Sequence, residues 1–453
     1  MLTATNPFTA QKIADYPALN AHQISDCIGK AVTAFDKWQQ TSIEERSSVL
    51  NQIAIQLREH KSKLAKLMAE EMGKPIKEGL AEVEKSAWCA EHYAQNAKAY
   101  LTEEVIASDA SKSYVTFQPL GTLLGILPWN APLWIAFRYL APALMAGNTC
   151  VMKHDPNVPG CAQALVDVFT KAGAPANIMV NLPVKTSDVE VAMRDPRIAG
   201  ISFTGSSAAG KKVASVAASE LKPAVLELGG SDPCIILADA DLEQASSTAV
   251  LSRIINAGQS CIAAKRIIVQ ASVYNEFVEL AKSKLEALKL GDPLDESTQI
   301  GPLARQDLQQ NLHQQVSQSI QAGATCLLGG ELPDTQGYFY PVTLLTDVTP
   351  KMAVFNEETF GPVMAIIKAD DSAHALELAN RTEYGLGAAI WSKDDASAEK
   401  LALQINSGQV AINGIVKTDP RLPSGGIKKS GYGRELGPHG IKEFVNAKQV
   451  WIK

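Results

Sequence analysis

The sequence predicts an α/β fold of two doubly wound α/β domains with a small β extension. Two observations favour it: short apolar runs alternate with helical stretches from about residue 121 to 240, and a second such series follows from about 234 to 430. This alternation is typical of parallel strands joined by crossover helices. The predicted extension comes from β runs at residues 101–119 and at Val445–Ile452.

Helices are predicted first, from Ala21 to about Tyr100. In the segment 43–57, apolar residues recur at three- and four-residue steps, which is the period of one helix face. Thr41 or Ser42 precedes this segment and Glu44 and Glu45 follow, as in a helix cap. The region therefore predicts packed helices.

Two series of strands are predicted after the first helices. The first comprises Thr122–Leu127, Thr149–Met152, Ile178–Leu182, Ile198–Phe203 and Ala224–Leu226, and the second Ile267–Gln270, Thr325–Leu328, Val363–Ile367, Gly387–Trp391 and Gln409–Ile412. A helix from Val273 to Leu288 is expected to stop at Gly291. Doubly wound sheets bind nucleotides at the carboxyl ends of their strands, so polar residues there are candidates for a site.

The apolar stretch from Gly121 to Gly147 is long enough to cross a bilayer. It contains Pro128, Arg138 and Pro142, which would break or charge a spanning helix. We therefore expect a buried strand, turn and helix, and no membrane partner.

Size, charge and cysteine usage narrow the class of protein. A chain of 453 residues is too long for one core, and 46% hydrophobic with 20% charged residues is ordinary for a globular protein. The net charge of −6 is spread without a basic block, so nucleic acid is not an expected partner. The seven scattered cysteines show no C-x-x-C spacing, and the first residues show neither the basic n-region nor the apolar h-region of a signal peptide. We expect a cytoplasmic protein without a metal site.

Cys261 and Glu227 form the most informative pair of candidate catalytic residues. Small and polar residues, 257–260, precede Cys261 and leave room above a nucleophilic sulfur, whereas most buried cysteines only fill space. Glu227 follows an apolar run and precedes Gly229, so it should lie at a strand end, where partial burial would raise its pKa towards that of a usable base. The competing interpretation of Glu227 is a solvated or ion-paired carboxylate.

Two further segments favour a site but leave alternatives open. Gly205 and Ser206 follow an apolar strand and open a helix, where N–H groups could face a pyrophosphate, although an ordinary strand-to-helix turn has the same pattern. Pro128 and Pro132 hold Asn130 rigidly, so its amide could donate to an oxyanion or could satisfy its own turn.

Taken together and in order, these motifs resemble the aldehyde dehydrogenase superfamily over essentially the whole chain. The matching segments are Pro128-Trp-Asn130, Ala146-Gly-Asn-Thr149 with Lys153, Phe203-Thr-Gly-Ser206, Glu227-Leu-Gly-Gly230, Gly258-Gln-Ser-Cys261, Ile300-Gly-Pro302, Glu357-Glu-Thr-Phe-Gly-Pro362 and Pro423 through Glu435.

The resemblance implies a role for each matching residue. Cys261 would be the nucleophile, Glu227 the base that activates the deacylating water, and Asn130, with the Cys261 backbone N–H, the oxyanion hole. The residues that would contact an NAD or NADP cofactor are Leu127, Trp129, Lys153, Gly205, Ser206, Gly229, Glu358 and Phe360. The implied reaction is oxidation of an aldehyde through a covalent thioester. A non-catalytic relative or a CoA-acylating enzyme is the alternative, and the retained Glu227 favours water as acyl acceptor.

The chain departs from the family pattern beside the cofactor. After Lys153 the family often has Pro-Ser-Glu, whose carboxylate holds the adenosine ribose, whereas this chain has His154-Asp-Pro156. Losing that carboxylate removes a repulsion against a 2′-phosphate. We therefore expect NAD use with NADP tolerated.

The substrate expectation depends on Arg138, which lies within an apolar stretch. A buried arginine binds either an internal acid or a substrate carboxylate. In succinate-semialdehyde dehydrogenases this position is similarly an arginine that receives the substrate carboxylate, but their second arginine is replaced here by Ile255. Arg421 is the predicted substitute. The expected substrate is succinate semialdehyde; the alternative is another small aliphatic aldehyde or semialdehyde, with Arg138 structural.

The resemblance also implies a division of the chain. Residues 1–100 and 120–229 would form the dinucleotide-binding domain and residues 230–430 the catalytic domain. Residues 101–119 and 431–453 would bridge subunits in a homodimer or homotetramer.

Overall fold

The computed structural model describes all residues from Met1 to Lys453. The strands are β1 Leu2–Asn6, β2 Gln11–Tyr16, β3 Glu104–Val105, β4 Lys112–Pro119, β5 Thr122–Leu127, β6 Thr149–His154, β7 Met179–Asn181, β8 Ile198–Thr204, β9 Ala224–Glu227, β10 Asp232–Ile236, β11 Ala264–Gln270, β12 Thr325–Leu328, β13 Thr343–Thr346, β14 Val363–Ala369, β15 Gly387–Trp391, β16 Gln409–Ile412, β17 Gly431–Tyr432 and β18 Val445–Ile452.

The α-helices lie mainly between the strands. They are α1 Ala21–Trp38, α2 Ile43–Glu59, α3 Lys61–Met72, α4 Ile76–Tyr100, α5 Pro132–Met145, α6 Pro159–Lys171, α7 Val189–Arg194, α8 Ser207–Ser219, α9 Leu242–Ile254, α10 Tyr274–Glu286, α11 Gln306–Gln321, α12 Ala353–Asn356, α13 Ser372–Asn380, α14 Asp395–Ala402 and α15 Gly437–Lys442. Short 3₁₀ turns cover Thr186–Asp188, Ile255–Gly258, Ala271–Val273 and Lys428–Ser430.

The first sheet has six strands in the order β17-β9-β8-β5-β6-β7. All its pairings are parallel except that of β17, which runs antiparallel to β9 and places Gly431 opposite Glu227. The chain moves outward from β5 through β6 to β7 and then returns to β8. The strand order therefore reverses between β5 and β8, and a crevice forms at their carboxyl ends.

The second sheet has seven strands in the order β12-β13-β14-β11-β10-β15-β16. Only the edge strand β12 is antiparallel to its neighbour. A core of 48 buried hydrophobic residues covers this sheet, while a separate cluster of 46 joins α2 to α5 and the first sheet. The two doubly wound α/β units of the prediction are confirmed.

Two small β units complete the fold. Strand β18 pairs along the whole of β4, from Val445 opposite Pro119 to Ile452 opposite Lys112, and β3 lies on the other side of β4. Strands β1 and β2 form a separate antiparallel hairpin at the N-terminus.

Local predictions were confirmed where side-chain chemistry fixes the backbone. Ser42 caps α2: its Oγ accepts from the Glu45 N–H at 3.2 Å while the Glu45 carboxylate accepts from the Ser42 N–H at 2.7 Å.

The apolar stretch after Gly121 forms β5, a turn and the wholly buried helix α5. None of the helices combines the length and the apolarity that crossing a bilayer requires.

Candidate active site

Residues 256–261, the nucleophile segment, lead to Cys261, the predicted nucleophile, and their backbone conformation is unusual. Asn256, Ala257 and Gly258 have φ values of 56°, 52° and 75°. Left-handed geometry costs a non-glycine residue on the order of 1–2 kcal/mol, so the surrounding structure must impose it. A Cβ on Gly258 would collide with the Gly361 carbonyl and the Arg253 guanidinium. Cys261 follows this turn and is partly exposed.

Three charged side chains, of which Lys265 and Arg253 are buried and Glu78 is partly buried, bind the backbone of this segment. Lys265 Nζ donates to the Ser260 carbonyl at 2.9 Å and the Cys261 carbonyl at 2.6 Å. Arg253 Nη2 donates to the Gly258 carbonyl at 2.6 Å and the Gly361 carbonyl at 2.7 Å. Glu78 accepts from the Asn256 N–H at 2.7 Å. Arg253 is wholly buried, and all its hydrogen bonds go to backbone carbonyls.

Asn130 is tied directly to the nucleophile segment. Its Nδ2 donates to the Gln259 carbonyl at 3.1 Å, and Asn256 Nδ2 donates to the Asn130 carbonyl at 2.9 Å. Glu82 accepts from the N–H groups of Leu133 and Trp134 and so fixes the start of α5, just after Asn130. The amide predicted to bind the oxyanion therefore lies beside the turn that carries Cys261.

Glu227 is the last residue of β9 and belongs to a buried three-charge cluster. Its Oε2 accepts from Arg138 Nη2 at 3.1 Å, and Arg138 Nε donates to Oε2 of Glu435. Glu227 Oε1 has no hydrogen-bond partner. A Cβ on Gly425 would lie 2.8 Å from this oxygen, so glycine leaves the space beside it open. One oxygen of the carboxylate is anchored and the other is available.

Burial changes the proton affinities of both catalytic candidates. It raises the pKa of Glu227 to about 8, although the Arg138 charge opposes the rise. It also raises the pKa of the Cys261 thiol to about 11, against the charges of Arg138 and Lys265. The predicted rise for Glu227 is thus present, whereas the sulfur is a thiol at neutral pH and needs a proton acceptor before it can attack.

The residues predicted to hold a cofactor line the carboxyl edge of the first sheet. Leu127 ends β5, Lys153 lies near the end of β6, Gly205 and Ser206 join β8 to α8, and Gly229 follows β9. The Gly205 N–H donates to the Glu227 carbonyl at 3.0 Å. A backbone hydrogen bond therefore joins the predicted pyrophosphate-binding turn to the predicted catalytic base.

Glu358 and Phe360 approach the same edge from the second unit. The Glu358 carboxylate accepts from the Gly230 N–H at 3.1 Å and lies 3.5 Å from Lys265 Nζ. Gly229 has no room for a Cβ because the Glu358 carboxylate fills that space. Phe360 packs edge-on against Trp129, with ring centroids 5.8 Å apart.

The hydrogen-bond donors at this edge of the sheet have the chemistry that a dinucleotide requires. Lys153 is buried without an ion pair or hydrogen bond to any protein group, and burial lowers its pKa. An unpartnered cation at the carboxyl edge of the sheet from which α8 also starts suits an anionic ribose phosphate or pyrophosphate. Pro156 cannot supply the carboxylate that would bind the adenosine ribose. The neighbouring His154 is buried, and neither of its ring nitrogens has a well-oriented hydrogen-bond partner.

The two predicted substrate arginines are both paired within the chain. Arg138 contacts Glu227 and Glu435, the internal-acid alternative that the sequence left open, and no protein group accepts from its Nη1. Arg421 binds Asp419 through two hydrogen bonds of 2.9 and 2.6 Å, and 65% of its side chain is exposed. This neutralisation argues against Arg421 as the second substrate cation.

Three charged residues near the site were not singled out from the sequence: Glu435, Lys265 and Lys85. Glu435 lay within a quoted motif but had no assigned role. Lys265 lies four residues after Cys261, a spacing that could have suggested a contact with the nucleophile segment. Lys85 lies on α4, where its Nζ is 4.2 Å from the Trp134 ring centroid and 2.9 Å from Thr418 Oγ1. No local pattern distinguishes Lys85 from other helix lysines.

Comparisons with known proteins cover the whole chain. A probable succinate-semialdehyde dehydrogenase [NADP(+)] from Synechocystis sp. is 45% identical over all of this chain and 99% of its own length. The structure of a succinic semialdehyde dehydrogenase from Streptococcus pyogenes, in complex with NADP+, matches with a TM-score of 0.97 and 34% identity over the full length of both chains. A Mycobacterium tuberculosis aldehyde dehydrogenase complexed with NAD+ matches with a TM-score of 0.96 and 34% identity, over all of this chain and 94% of that one.

The family model agrees with these relatives. Residues 1–450 match the model described as the aldehyde dehydrogenase family. The matched range includes every predicted catalytic and cofactor residue. The chain belongs to the aldehyde dehydrogenase family.

Proposed function

We propose that this protein oxidises succinate semialdehyde to succinate with NADP+ or NAD+ as electron acceptor, through a thioester on Cys261. The observation that carries the chemistry is the buried Glu227 carboxylate, which is anchored by Arg138 through Oε2 and has its Oε1 free of any hydrogen bond. The substrate is supported by the name of the 45% identical relative and by that of the Streptococcus structure.

The first half of the mechanism requires Cys261 and Asn130. Once its proton is removed, the Cys261 sulfur attacks the aldehyde carbon and a tetrahedral oxyanion forms. Asn130 Nδ2 and the Cys261 backbone N–H would donate to that oxygen. The hydrogen bond from Asn130 Nδ2 to the Gln259 carbonyl, two residues before the cysteine, supports this role. Such donors stabilise charge only where it develops, which lowers the barrier rather than tightening substrate binding.

The second half requires Glu227. A bound nicotinamide dinucleotide supplies the two-electron acceptor, and the acyl group is left as a thioester on Cys261. Glu227 Oε1 accepts a proton from water, which attacks the thioester carbon, and the carboxylic acid and the Cys261 thiol are released. Arg138 holds Oε2 and keeps the carboxylate oriented during this transfer.

The cofactor residues fit a 2′-phosphate as well as a free ribose hydroxyl. Lys153 has no internal partner, so a phosphate would give it one, and Pro156 presents no competing negative charge. The NADP+ in the Streptococcus neighbour and the NAD+ in the mycobacterial one support use of both cofactors. Lys153, Gly205 and Ser206 are the proposed phosphate and ribose contacts, with Glu358 and Phe360 on the nicotinamide side.

The alternative is oxidation of another small aliphatic aldehyde or semialdehyde. It is favoured by one observation: Arg138 already has two internal acids as partners, so it has less reason to bind a third carboxylate. Only its Nη1 remains for a substrate.

We also propose a homodimer or homotetramer that assembles through the β3-β4-β18 sheet. Val105, Ile106 and Trp451 of this sheet region have relative exposures of 77%, 51% and 46%. An exposed apolar sheet edge is typical of a strand-pairing interface. A cytoplasmic location agrees with seven unpaired cysteines, and we expect no nucleic-acid or membrane partner.

The function is tested by measuring formation of NADPH and NADH with succinate semialdehyde and with butanal, its neutral counterpart. We expect the higher kcat/KM with succinate semialdehyde and measurable rates with both cofactors. An NAD+ preference above about a thousandfold, on the order of 4 kcal/mol, would contradict the cofactor proposal. Equal kcat/KM for both aldehydes would contradict the substrate proposal.

A further inference from the structure

The Arg138 cluster has no positive charge in excess. One guanidinium faces two carboxylates, Glu227 and Glu435, so the cluster is neutral when Glu227 is protonated and negative when it is ionised. An arriving substrate carboxylate would meet no net attraction from these three groups alone. Binding an acidic aldehyde therefore requires another cation nearby.

Lys85 provides a cation on the same side of α5. Trp134 and Arg138 are four residues apart on this helix and share a face. The Lys85 ammonium lies over the Trp134 ring, and the Trp134 indole N–H and Lys85 both donate to Thr418 Oγ1, at 3.0 and 2.9 Å. Lys85 therefore contacts the face of α5 that carries Arg138 one helical turn after Trp134.

Lys85 has no carboxylate partner of its own. No acidic group lies within ion-pair distance of its ammonium, and the acidic groups around it are engaged: Glu82 by Lys74 and the start of α5, and Asp419 by Arg421. Arg138 and Cys89 are the other titratable groups facing it. A partly buried cation without a counter-ion is unfavourable unless a ligand supplies one.

We propose that Lys85 binds the carboxylate of an acidic aldehyde substrate, with Arg138 Nη1 as the inner contact, and that Lys85 sets the preference for acidic over neutral aldehydes. The inference rests on the proposed function. The aldehyde and carboxylate carbons of succinate semialdehyde are separated by three bonds, which span about 3.8 Å when extended. The Arg138 charge acts on both Cys261 and Lys85, so a substrate bound at Cys261 would extend its carboxylate towards these cations.

The proton affinity of Lys85 is consistent with a role in binding an anion. Burial, together with the Arg138 charge, lowers the pKa of Lys85 to about 8. A bound carboxylate would favour the protonated amine. The preference for an acidic aldehyde should therefore weaken as pH rises through about 8, because the free amine offers no charge.

The test compares Lys85→Met, Lys85→Arg and a control, Lys77→Met, which makes the same change at an exposed position of α4. Lys85→Met should lower kcat/KM for succinate semialdehyde about 10- to 100-fold, mainly through KM, and change that for butanal less than about threefold. Lys85→Arg should retain the preference, and Lys77→Met should match the native enzyme.

A pH series tests the charge of Lys85 directly, because a purely structural role of Lys85 would not make substrate preference depend on pH. The ratio of kcat/KM for the two aldehydes cancels the titration of Cys261, which both substrates use. Ionisation of Glu227 near pH 8 makes the cluster negative in every variant and lowers the ratio in all of them. The ratio should therefore fall more steeply above pH 8 in the native enzyme than in Lys85→Met and Lys85→Arg, because only the native enzyme also loses the Lys85 charge there. If the native enzyme prefers succinate semialdehyde and Lys85→Met keeps that preference, or loses both activities equally, only the Lys85 inference is overturned. A native enzyme without any preference overturns both this inference and the proposed substrate.

Discussion

The nucleophile turn and the Glu227 cluster bring charged side chains to one site in opposite ways. Around Cys261, Lys265, Arg253 and Glu78 all bind backbone groups and force a left-handed turn. Around Glu227, the charges bind one another, and Oε1 of both Glu227 and Glu435 lacks a partner. The first region uses charge to fix geometry, and the second uses it to adjust proton affinity.

This difference follows from what each group must do. A nucleophile and its oxyanion donors must hold a position within a fraction of an ångström, which favours fully bonded backbone. A base must instead exist in two protonation states, so its surroundings cannot favour one of them absolutely. Changes in the two regions should therefore differ in kind.

The largest effect on turnover is expected from Glu227→Gln. The amide cannot accept a proton from water, so steady-state turnover should fall about 10²- to 10⁴-fold, while the first turnover still yields up to one reduced cofactor per active site. Rapid-mixing measurement of NADPH formation separates the two phases. Steady-state turnover within a few-fold of native would contradict the assignment of Glu227 as the base.

Removing the cation of the cluster should act mainly on stability. Arg138→Met leaves Glu227 and Glu435 buried without a counter-charge and should reduce the free energy of unfolding by about 3–5 kcal/mol, measured by denaturant titration. The double variant with Glu435→Gln should recover part of that loss. No recovery would mean that the two carboxylates do not repel each other across the cluster.

In the nucleophile region, Asn130→Ala should act on turnover with little effect on substrate binding. Loss of one oxyanion donor costs about 2.7–4 kcal/mol, or roughly 10²- to 10³-fold in kcat. Asn130→Asp, nearly the same size but without the donor, is the control for packing and should lose as much. A near-normal kcat in both variants would remove Asn130 from the oxyanion hole.

The smallest expected effect is a shift in pH dependence. Because only ionised Glu227 accepts a proton, turnover limited by thioester hydrolysis should fall about tenfold per pH unit below about 8 and level off above it. Glu435 raises the pKa of Glu227, so Glu435→Gln should move the inflection to lower pH. An unchanged inflection would show that Glu435 does not influence the base.

Periodicity and turn residues predicted much of the fold. Strands β15, β16 and β18 have the predicted bounds, because apolar runs end at clear polar or glycine breaks. Strand β10 was missed because Asp232-Pro233 suggests a turn, yet Pro233 is accommodated within the sheet. The polar hairpin of β1 and β2 carries no apolar alternation that would predict it.

Candidate site residues could be predicted where they lie in a local motif, and not where they are defined by contacts between distant parts of the chain. Cys261, Glu227 and Asn130 each lie in a recognisable segment. By contrast, Arg138 and Glu435 are 297 positions apart, and Lys85 and Thr418 are 333 apart. Nothing local to either partner indicates which charge it will meet, so the pairing of Arg138 with internal acids emerged only from the folded chain.

The antiparallel pairing of β17 with β9 has a consequence for the order of assembly during synthesis. Glu227 faces Gly431 across that pairing, and its charge cluster is completed by Glu435. When the ribosome has synthesised the parallel strands of the first sheet, it has not yet synthesised Gly431 or Glu435. The base therefore acquires its native proton affinity only after synthesis has passed residue 435, so a partly made chain cannot hydrolyse a thioester at the native rate.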